Sequence, residues 1–264
     1  FNTQTGVSSY DGSRITNHTK SSKENYPNVL PNQDNESMTN KWMKSDTDLW
    51  FEAGNKAGVY RYDGQRLHYL DFPPQKLLNP YDNLFAVTDI SIGKNNRIWF
   101  GTYAGVFGYN GSNFTIMNDE TLGYDRKIEP LHIRSILEDS KGRLWIGNNG
   151  IGVLLKEGDS IINFSNKHHL IHPNSKRNGE KSPKGTLEHV FTIAEDNKGN
   201  IWFGDRDAGI WKYDGHNLEN YTIKDGLTND FVLSIYEDKN SELWFGMADG
   251  SVYRFNGNTF EKQF

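Results

Sequence analysis

The chain has 264 residues, 35% of them hydrophobic and 13% aromatic, with 26 glycines, no cysteine and a formal net charge of −5. A chain of this length hides roughly 70–75% of the surface its unfolded form exposes, so a core needs neither disulfides nor a structural metal, and the lack of cysteine excludes a cystine framework or thiolate site. No Lys/Arg block supplies the phosphate neutralisation that drives nucleic-acid binding, and nowhere do the roughly 18 consecutive apolar residues of a membrane helix occur. The start at Phe1, without Met or a basic-then-apolar leader, reads as a processed or excised piece.

Taken in chain order, the elements recur. Residues 2–19 (NTQTGVSSYDGSRITNHT) repeat the stretch after Phe51, so the chain begins inside a unit, with Phe1 aligned on Phe51. The string LWF at 49–51 returns as IWFG from Ile98, LWIG from Leu144, IWFG from Ile201 and LWFG from Leu243. Trp50, Trp99, Trp145, Trp202 and Trp244 are thus spaced by 49, 46, 57 and 42 residues. After each Trp comes a second string, GVYRYDG, GVFGYNG, GVLLKEG, GIWKYDG and SVYRFNG in turn, and then a third: RLHYLDF, NFTIMND, SIINFSN, NLENYTI and TFEKQF. Ahead of the last four Trp residues stand VTDISI, IRSILED, VFTIAED and VLSIYED. Each string is short, rich in β-branched and aromatic residues and bounded by turn residues, which predicts four strands per unit. EDSKG, EDNKG and EDKNS join the first strand to the second, and YDG or YNG the third to the fourth; Asp, Asn and Gly cap turn amides or accept left-handed backbone there.

A four-stranded antiparallel meander cannot bury both faces alone, so neighbours must stack, and a period of roughly 40 to 50 residues is that of a propeller blade. The prediction is an all-β, six-bladed β-propeller spanning 1–264 as one domain, with the Trp of each unit filling the space between blades. Its units cover approximately 1–20, 38–72, 86–118, 132–165, 189–224 and 231–264; the first blade is incomplete, and 264 residues over six units give 44 each. A seven-bladed ring with missing N-terminal strands is the alternative.

The pattern I-x-x-D-x-x-G-x-L-W-[IF]-G-T followed by G-[VL]-x-x-Y-D-G resembles the two-component regulator propeller repeat over nearly the whole chain. IRSILEDSKGRLWIG, VFTIAEDNKGNIWFG and VLSIYEDKNSELWFG carry the resemblance most closely. It implies the periplasmic sensor region of a bacterial membrane-spanning regulator, many of which recognise glycans or their fragments; related repeats occur in secreted or lipid-anchored proteins without a kinase. This chain departs from the sensor pattern in having one ring's worth of repeats and no transmembrane segment or kinase motif. The matching residues build blades, so they speak for fold and not for ligand.

Function in a propeller belongs to the variable loops. If the strand before the Trp strand is innermost, the long loops entering it share one face: roughly Ser21–Asn40, Asp71–Phe85, Asn118–Leu131 and Ser165–Glu188, with a short one near Thr228. Tyr26, Trp42, Tyr81, Phe85, Tyr124 and Phe231 are their aromatics, able either to cover sugar rings or to pin the loops. His132 and His189 each lie 13 positions before their Trp and so occupy matching places at the channel mouth, with Ala86 and Phe231 as counterparts. Glu188, Asp230, Asp205, Arg206, Asp207, Tyr103, Asn148 and Asn149 complete the candidate ligand-binding set on that face. His168, His169 and His172 of KHHLIH lack any spacing with a set metal geometry, and Asp139, Asp196 and Asp238 read as turn caps in place of calcium ligands, so no metal or cofactor is expected.

The sequence admits three functional classes. The first is a non-catalytic, extracytoplasmic recognition module, periplasmic or extracellular and lipid-anchored in a precursor, that binds a glycan or other small polar ligand over the channel mouth. The second is a lyase in which His132 or His189 removes a proton while Arg206 holds a carboxylate. The third is a scaffold for a protein partner.

Overall fold

The computed structural model describes residues 2–3, 6–10, 15–18, 41–45, 48–53, 56–63, 65–74, 84–123, 131–173 and 181–264. Within them every repeated string forms a strand, because each is too short and too β-branched for a helix and is bounded by a turn or loop. The first sheet holds β1 (Asn2–Thr3), β2 (Gly6–Tyr10) and β3 (Ile15–His18). The second holds β4 (Lys41–Ser45), β5 (Asp48–Glu52), β6 (Gly58–Tyr62) and β7 (Leu67–Asp71); the third β8 (Val87–Ile92), β9 (Ile98–Thr102), β10 (Gly105–Tyr109) and β11 (Phe114–Met117). In the fourth lie β12 (Ile133–Glu138), β13 (Leu144–Asn148), β14 (Gly152–Glu157) and β15 (Ser160–Asn163), after which comes the single-turn α1 (Phe164–Lys167). The fifth comprises β16 (Val190–Glu195), β17 (Ile201–Asp205), β18 (Ile210–Tyr213) and β19 (Leu218–Tyr221), and the sixth β20 (Val232–Glu237), β21 (Leu243–Met247), β22 (Val252–Phe255) and β23 (Phe260–Lys262). All six are antiparallel meanders in chain order. The first has three strands, as expected of a unit entered part-way through.

In the third to sixth sheets the first strand is innermost: β8 packs against β12, β12 against β16 and β16 against β20. Apolar side chains fill the gaps between sheets. Trp50 lies with Phe100, Phe107 and Tyr109 of the third sheet, Trp99 with Ile136 and Ile146 of the fourth, Trp145 with Phe203 and Trp211 of the fifth, and Trp202 with Phe245 and Tyr253 of the sixth. Trp50, Trp145 and Trp202 are at most 1% exposed, so each delivers nearly its whole ring to one seam. Trp244, whose seam would involve a further sheet, is partly exposed.

In the fourth, fifth and sixth sheets the Glu-Asp pair before the Trp strand has two separate jobs. Asp139, Asp196 and Asp238 each accept two turn amides on one oxygen and the indole Nε1 of their own Trp145, Trp202 and Trp244 on the other, at 2.8, 2.8 and 3.2 Å. The preceding glutamate reaches back to the neighbouring sheet: Glu138 to Lys94 N and Trp99 Nε1, Glu195 to Ser140 N and Oγ, and Glu237 to Asn197 N. The innermost strands are also linked directly, Asp89 accepting from Ser135 Oγ and Ile136 N, and Ser135 Oγ accepting from Ile193 N.

One irregularity recurs. The pairing of the first strand with the second shifts by a residue between Met43 and Ser45, Val87 and Asp89, Ile133 and Ser135, Val190 and Thr192, and Val232 and Ser234. Such a bulge leaves one extra residue outside the ladder and re-aims it. The extra residues are Lys44, Thr88, Arg134, Phe191 and Leu233.

Candidate functional site

The residue before each innermost strand is fixed by the same backbone bond in three sheets. His132, His189 and Phe231 accept at their carbonyls from Asn149 N, Arg206 N and Ala248 N, each at 2.9 Å. The three therefore hold equivalent places at one end of successive innermost strands, as the spacing to Trp predicts.

Asn149 joins the two histidines. Its Oδ1 lies 2.7 Å from His189 Nδ1 and its Nδ2 3.5 Å from His132 Nδ1, and Asn149 also forms an isolated bridge with His189. This orientation needs a proton on His189 Nδ1 and leaves His132 Nδ1 as the acceptor, so the neutral His132 ring carries its proton on Nε2. Burial, then the charge of Arg134, then His189 push the His132 pKa down to about 4. His132 is accordingly neutral at physiological pH, and His189 is fully buried.

Aromatic rings continue the array on both sides. The Tyr103 ring, on the turn after β9, meets His132 edge-on at 4.4 Å. Arg134 places its guanidinium carbon 5.3 Å from the Tyr103 ring centre and 5.0 Å from that of Phe191, and Phe191 meets Phe231 at 5.0 Å. Residues from the third, fourth, fifth and sixth sheets thus form one line across the rim. Arg134 and Phe191 sit inside strings that read simply as strand, so the repeat pattern does not single them out. The available signal was the column they share with Thr88 and Leu233, where residue type varies while its neighbours stay β-branched or small.

The remaining expected residues lie beneath the rim or beside it. Asp205 is fully buried and accepts four backbone amides, from Asp207 and Ala208 on Oδ1 and from Glu188 and His189 on Oδ2. Those bonds favour its charged form, but burial outweighs them and pushes its pKa up to about 7. Glu188, also fully buried, accepts from His172 N and Ser182 Oγ at 2.6 Å each and anchors the loop before β16. The Arg206 guanidinium lies against Asp207, at 3.0 Å from Nε and 2.6 Å from Nη2, while the same carboxylate oxygen accepts Ser182 N. Asp230 accepts from Ile223 N at 3.1 Å. Asn148 is 1% exposed, and both its amide nitrogen and oxygen are buried without a hydrogen-bond partner among the described residues.

Of the loop aromatics, Trp42 falls within β4 opposite Trp50, and Phe85 packs into the seam holding Phe107. Tyr26, Tyr81 and Tyr124 lie outside the described residues. His168 packs on Phe164 at 4.4 Å behind α1. Among the described residues no group of three His, Asp or Glu is placed to share a metal ion, and no helix is long and apolar enough to cross a membrane.

Repeated meanders packed first strand to first strand, with variable side chains gathered at one end, define a β-propeller. The profile of the two-component regulator propeller matches three of its repeats, at residues 128–150, 185–207 and 226–249. No curated protein sequence matches the chain. Among solved structures it resembles the extracellular domain of the hybrid two-component system BT3049 of B. thetaiotaomicron, with a TM-score of 0.62 at 24% identity over 100% of this chain and 33% of that one. It also resembles the extracellular domain of BT4673 of the same organism, with a TM-score of 0.63 at 20% identity over 97% of this chain and 36% of that one. Virginiamycin B lyase from Staphylococcus aureus matches with a TM-score of 0.61 at 16% identity over 95% of this chain and 73% of that one. At these identities the likeness is one of fold, and the chain spans about a third of the two extracellular domains.

Proposed function

We propose that residues 1–264 form one propeller domain that acts as a non-catalytic, extracytoplasmic recognition module of the sensor type. Its ligand is a carbohydrate or other small polar molecule held over the channel mouth. The observation that carries this reading is the His132–Asn149–His189 array with the Tyr103 ring against His132. Its partly exposed members, the neutral His132 ring and the Asn149 amide, lie beside an aromatic ring, the combination a hydroxyl-rich ring needs, since its CH face is apolar and its edge polar. The extracellular placement of BT3049 and BT4673 supports the compartment.

The lyase reading draws less support. A general base works best with a pKa near the operating pH, whereas that of His132 lies at about 4. His189 is fully buried, and the Arg206 guanidinium is already held by Asp207.

Calorimetric titration of a panel of neutral and acidic mono- and oligosaccharides tests the proposal. At least one member should bind, and Asn149→Ala, which breaks the array, should weaken that binding tenfold or more. A panel without binders, together with a protein captured on the same rim, would replace this reading with that of a protein-interaction scaffold.

A further inference from the structure

Arg134 is the one basic group built into the rim's aromatic line, and among the described residues nothing compensates its charge. It leaves the ladder at the bulge of β12, on a strand flanked by the innermost strands of both neighbouring sheets. Tyr103 and Phe191 hold the guanidinium within cation–π range, at 5.3 and 5.0 Å. Its Nε is buried without a hydrogen-bond partner, and among the described residues no carboxylate pairs with it. Four other arginines are paired with carboxylates, Arg61 with Asp48, Arg143 with Asp139, Arg206 with Asp207, and Arg254 with Glu242 and Glu261, whereas Arg97 also lies over a ring, that of Trp99 at 5.2 Å. The charge of Arg134 is felt at the site, since it helps to depress the His132 pKa.

Arg134 is partly exposed, but burying even the Nε of a guanidinium without an acceptor is costly, and flanking rings recover only part of that cost. Rings also fix the side chain and leave the edge of its fork as the route to a partner. That edge matches an oxyanion with two oxygens in one plane, held by two parallel N–H···O bonds.

Resting on the rim-recognition reading above, we propose that Arg134 is an anion-binding group that takes a carboxylate or sulfate carried by the ligand, so that this rim selects acidic over neutral small polar molecules. The aromatic line positions the guanidinium, and the partly exposed His132 and Asn149 meet the neutral remainder of the ligand.

Matched pairs test this in the whole chain. Galacturonate against galactose, glucuronate against glucose, and glucose 6-sulfate against glucose are titrated calorimetrically at low and high NaCl, with inorganic sulfate as the free-ion probe. An acidic member should bind tenfold or more tightly than its neutral partner, and salt should shrink the advantage. Arg134→Gln should bring the acid down to the affinity of its neutral partner, and Arg134→Lys should keep part of the difference. Should Arg134→Gln fail to fold, the lysine variant and the salt dependence of the unaltered chain decide. Inorganic sulfate binding in an Arg134-dependent way while every saccharide is inert would uphold the anion site and overturn the saccharide reading. Neutral and acidic members binding alike, with Arg134→Gln without effect, would overturn the anion site and leave rim recognition standing. No binding by sulfate or by any acidic member also overturns it.

Discussion

At the scale of single residues, the rim and the layer beneath it respond to acid in opposite directions. The folded state depresses His132 from 6.5 to about 4, so over that interval the unfolded chain binds the proton more readily. Its contribution is therefore fully present above pH 6.5 and is lost as pH falls towards 4. Asp205, raised from 3.8 to about 7, works the other way: the folded state holds that proton more firmly, and acidification from 7 to 4 stabilises. Thermal unfolding tracked from pH 7.5 to 4.5 should show His132→Gln losing less stability on acidification than the unaltered chain, and an unchanged pH slope would refute the assignment. Asp205→Ala should cost about 3 kcal/mol by urea unfolding at neutral pH, because it strands several buried amides at once. The sequence marks Asp205 and Glu188 only as polar residues near a mouth. Whether such a carboxylate meets ligand or caps its own loop depends on where neighbouring amides point, and no spacing rule contains that.

Among the elements, the turn before each Trp strand was legible and its division of labour was not. Asp in EDxxG is readable as a turn cap because its reach to the second and fourth amides after it is local. The glutamate beside it acts on the preceding sheet, some 40 to 55 residues away in sequence, and only coordinates reveal that. Asp196→Ala should consequently cost about 2–3 kcal/mol, since it leaves the buried Trp202 indole and two turn amides unpaired, while Glu195→Ala, whose lost bonds are exposed, should cost about 1 kcal/mol. Equal shifts in urea midpoint would show that the two residues do not differ as described. The third sheet has Ile92 and Gly93 where the pair would stand, and its Trp99 indole is held by Glu138 of the next sheet. A Cβ at Gly93 would run into that carboxylate, so Gly93→Ala should destabilise by about 1–2 kcal/mol even though its backbone, at φ −90°, accepts any residue. The bulges escaped sequence reading for a related reason: the extra residue shows only when two paired strands are compared for length.

For the whole molecule, the last seam among the described residues differs in burial from those before it. Trp145 and Trp202 are buried against the next sheet along the chain, whereas Trp244 is partly exposed, and Leu233 and Tyr236 on the innermost strand of the same sheet are 48% and 64% exposed. In the six-bladed ring expected from the repeat count, the first sheet would sit over that face. The three strands described for that sheet would cover Trp244. A linear array loses one nearest-neighbour interface when a terminal unit is removed, while a closed ring loses two. Deleting residues 1–20 should then lower stability by clearly more than Trp244→Ala alone, and it should abolish most of the effect of Trp244→Ala, because the indole no longer has a sheet to meet. Double-mutant analysis of urea midpoints measures this coupling. Strictly additive losses would mean that the first sheet does not lie on the sixth, and the count of blades in the ring would have to be revised.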